Sequence, residues 1–147
     1  MRKTIFFVGS LMLASVFVFT AACGSTNDST SAPAAGKTIA TGPAGNNLTA
    51  TVSNAEGVLR KGKQEFTLTF ADAAGRPVDV GAVALNYRMA AMGSMAEMNS
   101  GTTFTTTGTP GVYKGKAEID MAGEWQAQIT YEGPAGKGAF SLPINAK

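Results

Sequence analysis

The chain has 147 residues, with 12 basic and 10 acidic side chains, one cysteine and no histidine. The absence of histidine excludes a Ser-His-Asp triad and removes both the commonest general base and the commonest zinc ligand. Because the carboxylates are scattered and the basic residues form no stripe, the composition predicts neither an enzyme nor a nucleic-acid-binding protein.

The N-terminus predicts a lipoprotein signal peptide over residues 1–22. Two basic residues, Arg2 and Lys3, precede an apolar run of 15 residues from Ile5 to Phe19, which is shorter than the roughly 18 residues expected of a membrane-spanning helix. Small residues then lead to Cys23, an arrangement that resembles a bacterial lipobox. We therefore expect Cys23 to be lipidated and the protein to be anchored in the cell envelope, on the extracytoplasmic side of a membrane. The alternative is an ordinary secretory signal with cleavage before a chance cysteine.

Residues 23–46 are rich in Ser, Thr, Ala, Gly and Pro, and they contain no aromatic residue. Such a segment buries too little apolar surface to offset its ordering entropy, so it predicts a flexible tether. Residues 47–147 then form the globular part, which is long enough for one hydrophobic core.

The globular part has a dominant period of two, which is typical of half-buried strands. Clear alternation is seen at 66–70, 83–87, 125–131 and 140–144, and weaker candidates lie at 48–52, 102–106 and 112–119. About seven short strands in a hundred residues predict an all-β fold, an immunoglobulin-like antiparallel β-sandwich. Trp125 is expected to anchor the core, and Tyr113, after Gly111, has the setting of a tyrosine corner. Pro143 suggests that the last strand lies at an edge.

Between the second and third of the clear strands lies a run of methionines, MAAMGSMAEM, in which every third residue is Met89, Met92, Met95 or Met98. On a single strand, residues three apart point to opposite faces, and on an α-helix they fan across half the circumference. The spacing and the glycines therefore predict a methionine-lined loop that leaves a strand ending near Arg88. Asn99, Ser100 and Gly101 are expected to belong to the same loop.

The methionine run admits several functions. Thioether sulfur is a soft ligand that selects Cu(I), so the run predicts a metal site, to which Met121 is a further candidate ligand. A second interpretation is a polarizable contact surface for a protein partner, and a third is a cap on the hydrophobic core. A sacrificial cluster that scavenges oxidants is a further alternative.

Three motifs in the globular part resemble the YtkA-like domain, which is related to FixH-type proteins. They are a D-x-x-G-x-P turn at residues 72–77, G-x-Y at 111–113 and M-x-G-x-W at 121–125, with the methionine run between the first two. The resemblance implies an extracytoplasmic immunoglobulin-like fold without catalysis, often in copper-handling or oxidase-assembly settings. The family pattern has prolines within its methionine loop where this chain has alanine and glycine, so we expect a less rigid loop.

Together these features predict a membrane-anchored lipoprotein that binds Cu(I) for copper buffering or delivery. Its expected partners are the membrane, through the lipid on Cys23, and a copper transporter, an oxidase-assembly protein or another envelope protein. The alternative is a non-metal adaptor domain of a cell-envelope complex, which uses the methionine run as its contact surface.

Overall fold

The computed structural model describes residues 36–147, and it is all-β, as the sequence predicts. The predictions for residues 1–22 and for Cys23 lie outside the described residues. The described residues form nine strands, two more than expected: β1 (Lys37–Gly45), β2 (Leu48–Asn54), β3 (Gly62–Ala71), β4 (Ala82–Met89), β5 (Met98–Gly101), β6 (Thr103–Thr106), β7 (Val112–Ile119), β8 (Gly123–Gly133) and β9 (Gly136–Ala146).

The strands form two antiparallel sheets, with the order β1-β2-β3-β7-β6 in one and β5-β4-β8-β9 in the other. Apart from β1, this order is that of the two sheets of an immunoglobulin-like sandwich, so the predicted fold class is confirmed. The chain passes from one sheet to the other between β5 and β6, where the Ser100 hydroxyl donates to the Glu118 carbonyl of β7. Pro143 lies in β9, at an edge of its sheet, as predicted.

The core lies between the sheets and follows the predicted period of two. In β8, Trp125, Ala127, Ile129 and Tyr131 are buried, whereas the residues between them are exposed. Trp125 is 1% exposed and its indole Nε1 donates to the Met121 carbonyl at 3.1 Å, so its predicted role as core anchor is confirmed. In β3 the alternation is hidden, because Thr67 and Thr69 are buried as well as the apolar residues on either side of them.

The boundary expected at residue 47 is wrong, because the end of the expected tether is strand β1. Lys37–Gly45 pairs along its length with β2, and the two are joined by a turn at Asn46 and Asn47 with φ values of 52° and 57°. Two successive positive φ values are typical of a type I′ hairpin turn. Ala44 is buried, and β1 also contacts β9 of the other sheet. Backbone pairing and these contacts compensate for the scarcity of large apolar side chains.

The prediction of a tyrosine corner at Tyr113 is also wrong. Tyr113 lies on β7, which pairs with β3 and β6, whereas the corner of immunoglobulin domains belongs to a strand of the opposite sheet, at the position of β8 here. The Tyr113 hydroxyl instead lies 3.1 Å from both Asp79 Oδ1 and the Gly81 carbonyl. It therefore joins β7 to the segment that precedes β4.

Candidate functional site: the methionine hairpin

The methionine run folds back on itself as an extension of the β4–β5 hairpin. Met89 pairs with Met98 at the end of the ladder, and Met92 pairs with Met95 closer to the turn. The Met92 and Met95 backbones exchange two hydrogen bonds, of 3.1 and 2.9 Å. Gly93, with φ of 57°, is the one central turn residue with positive φ, as in a type II′ turn. We call residues 89–98 the methionine hairpin, with Met89 and Met98 at its base and Met92 and Met95 at its tip.

This geometry explains the spacing of three between Met92 and Met95, and it corrects the prediction of a loop. The two-residue turn at Gly93–Ser94 lies at the centre of the run, so that methionines at equal distances from the turn become direct cross-strand partners. Such partners lie on the same face of the hairpin with Cβ atoms roughly 5 Å apart. The strand before the run ends at Met89, close to the predicted Arg88, but Met98–Gly101 is strand β5 instead of loop.

The base methionines and Met121 belong to the core. Met89 is 3% exposed, and a Cβ built on Gly123 would lie 2.9 Å from the Met89 methyl carbon, so this glycine leaves the space that the thioether fills. Met98 and Met121 are partly buried and pack against the same core. For these three residues, the structure has the arrangement that the core-cap interpretation predicts.

The tip methionines face solvent. Met92 is 55% exposed and Met95 is 42% exposed, and among residues 36–147 they are the exposed large hydrophobic side chains. The residues around them, Ala90, Ala91, Gly93, Ser94 and Ala96, are small, uncharged and exposed. The tip is therefore a pair of adjacent, accessible thioethers without a charged or bulky neighbour between residues 89 and 96.

An ion pair borders the uncharged tip. Arg88 Nη2 lies 2.5 Å from Glu97 Oε2, and Asn99 Nδ2 donates to Glu97 Oε1 at 3.0 Å. The hydrogen bonds from Arg88 and then Asn99 lower the pKa of Glu97 to about 2, and the Glu97 carboxylate raises the pKa of Arg88. Both carboxylate oxygens are thus engaged, so Glu97 is poorly placed to act as a metal ligand.

Arg88, Glu97 and Asn99 are members of this site that the sequence did not predict. The available signal was a pair of opposite charges, at residues 88 and 97, that brackets a run with no other charge. Its meaning depends on the hairpin, which brings the two charges together across the strands.

The hairpin projects from the end of the sandwich at which the described chain begins and ends. The end of β4 lies beside the start of β8 and the end of β9. At that same end, Leu59 bridges to Ala146 and the Lys61 amide donates to the Lys147 carbonyl. Lys37, the first residue of β1, pairs with Asn54 at the end of β2, just before this Leu59–Lys61 segment.

The soft donors exposed at the hairpin are the thioethers of Met92 and Met95. Within residues 36–147 there is no group of three or more His, Cys, Asp or Glu side chains that could hold a metal ion. The tip offers two thioethers instead, and soft thioethers select Cu(I) over harder ions such as Zn²⁺. No helix in the same part of the chain has the length and apolar character needed to cross a bilayer.

Comparison with protein families gives one match: the sequence model described as YtkA-like matches residues 44–130. The matched region begins at the end of β1 and ends within β8, so it includes the whole methionine hairpin and Met121. Comparisons with curated proteins and with solved structures found no match.

Proposed function

The chain belongs to the YtkA-like family, and we propose that it binds Cu(I) through its methionine hairpin and serves in copper buffering or delivery outside the cytoplasm. Met92 and Met95 are the primary ligands in this proposal. Met89, Met98 and Met121 lie in the core or pack against it, and they keep a structural role in this proposal.

One observation supports the proposal above all others: the two exposed large hydrophobic side chains of residues 36–147 are thioethers that face each other across a tight turn. Both residues leave about half of their surface in solvent, so burial in the core accounts for little of this pair. Binding of a soft ion gives a reason for the pair, because thioether sulfur binds Cu(I) and the chain has no histidine to recruit Zn²⁺.

The sequence of the N-terminus supports delivery at a membrane. If Cys23 is lipidated, the tether enters the domain at Lys37, at the same end of the sandwich as the methionine hairpin. The tip would then lie on the membrane side of the domain, where a copper transporter or an oxidase-assembly protein is a suitable acceptor.

The proposal is tested by titrating the chain with Cu(I) under a reductant and in competition with a Cu(I) chelator. We expect the Met92→Leu/Met95→Leu double variant to lose at least about tenfold in affinity. Because thioethers carry no titratable proton, wild-type affinity should vary little with pH over the range in which histidine titrates.

The matched control is Met121→Leu, which replaces a partly buried methionine and should bind Cu(I) as the wild type does. Unfolding curves establish that each variant is folded. Equal affinity of the wild type and the folded double variant would show that the tip is not the site.

The same exposed pair also supports the second candidate, a non-metal adaptor in a cell-envelope complex, because methionines at a surface adapt to partners of different shape. The two candidates differ in their response to a Cu(I) chelator. An adaptor retains its partner when copper is removed and loses it in the Met92→Leu/Met95→Leu variant, whereas a copper-delivery contact weakens in both cases.

A further inference from the structure

Of the methionines in residues 36–147, one copy presents only Met92 and Met95 to a metal ion. Met89 lies on the inward face of β4 with Leu85 and Tyr87, and all three are buried. Met98 is directly opposite Met89, so its side chain points to the same face and packs against the core. Turning either sulfur toward the tip would take apolar surface out of the core, which is unfavourable.

Two thioethers give an incomplete site. Cu(I) is a d¹⁰ ion, and with uncharged sulfur ligands it takes a trigonal or tetrahedral shell, because each thioether alone is a weak ligand. The nearest charged donor, Glu97, is a hard ligand whose two oxygens are already bonded to Arg88 and Asn99. Ser94 at the turn offers a hard hydroxyl. The missing soft ligands must therefore come from outside the copy that provides the first two.

We propose that a second copy of this chain provides them, so that one Cu(I) ion is held between two hairpin tips by Met92 and Met95 of each copy. This inference rests on the proposed Cu(I) binding. The tip suits such a contact because its exposed neighbours are small and uncharged, and because the bordering pair of Arg88 and Glu97 is neutral as a whole. Two identical tips can therefore approach about a two-fold axis without steric or net charge repulsion.

A site of this kind makes copper binding and association the same event. The tip extends past the end of the β4–β5 ladder at Met89 and Met98, and a contact made by the two tips alone buries little protein surface. Such an area is far below that of a stable interface, and association should depend on the metal. The copies should separate when copper is removed or when the chain is diluted.

The test is the mass of the full chain in detergent, measured by analytical ultracentrifugation during a Cu(I) titration under reductant. We expect the protein mass to double as Cu(I) approaches about 0.5 equivalents per chain and to return to that of one copy when a Cu(I) chelator is added. X-ray absorption at the copper edge should show about four sulfur ligands per copper ion, two from each tip.

Two variants separate the possible outcomes. Met92→Leu/Met95→Leu should remain a single copy at every copper concentration, whereas Met121→Leu should associate as the wild type does. One Cu(I) bound per single copy, with no change of mass, would overturn the shared site and leave the proposed function intact. Absence of Cu(I) binding by the wild type would overturn both.

Discussion

The base and the tip of the methionine hairpin contain the same residue type in opposite environments. Met89 at the base is 3% exposed, whereas Met92, three residues further along the chain, is 55% exposed. The base continues the inward face of β4, and the tip lies beyond the last layer of the core. The methionines recur at a regular spacing in the sequence, but they lie at different distances from the core. This distance decides whether a thioether is buried and structural or exposed and accessible.

The largest expected effect is at the base. Met89→Ala should lower the free energy of unfolding by about 2–5 kcal/mol, because it leaves a cavity where the side chain fills the space over Gly123. Chemical denaturation measures this loss. The matched change at the tip, Met92→Ala, should stay within about 0.5 kcal/mol of the wild type. Equal losses at the two positions would contradict the division between base and tip.

A smaller effect is expected at the turn that separates the two pairs. Gly93 has φ of 57° and no atom within 4 Å of a Cβ built on it, so Gly93→Ala meets no clash and changes only the backbone energy. We expect a cost of about 1 kcal/mol together with weaker Cu(I) binding, because the altered turn no longer holds Met92 opposite Met95. Ser94→Ala is the control for unfolding and for Cu(I) titration, and it should match the wild type. A Gly93→Ala variant with unchanged affinity would show that the turn does not position the ligands.

The smallest effect concerns the ion pair beside the tip. The pKa of Glu97 falls from its usual value of 4.5 to about 2 in the folded chain, mainly because of its hydrogen bond with Arg88. Ionised Glu97 therefore stabilises the fold above pH 4.5, and this contribution is lost as the pH falls from 4.5 toward 2. Over that interval the wild type should lose stability relative to Glu97→Gln, as measured by thermal unfolding at a series of pH values. The pair is exposed, so the difference should be small and should decrease with salt. If the stability of the wild type and of Glu97→Gln changed with pH in the same way, the lowered pKa of Glu97 would be contradicted.

The sequence by itself determined the class of fold and much of its core. Strict alternation in residues 125–131 and at 83–87 requires one buried and one exposed face, which antiparallel strands of a sandwich provide. Trp125 is buried and Pro143 lies on an edge strand, as expected from the physical properties of each side chain. The motifs at 72–77, 111–113 and 121–125 were sufficient to indicate the family that the match over residues 44–130 then showed.

Tertiary structure decided the features that depend on residues far apart in the chain. Strand β1 exists because Lys37–Gly45 pairs with β2 and contacts β9. The segment has no apolar periodicity from which a strand could be predicted. The methionine run predicted a candidate site but not its division into a buried base and an exposed tip, because that division follows from the chain reversal at Gly93 and Ser94. Which sulfur is buried then depends on where the core ends, and that boundary is set by the packing of both sheets together.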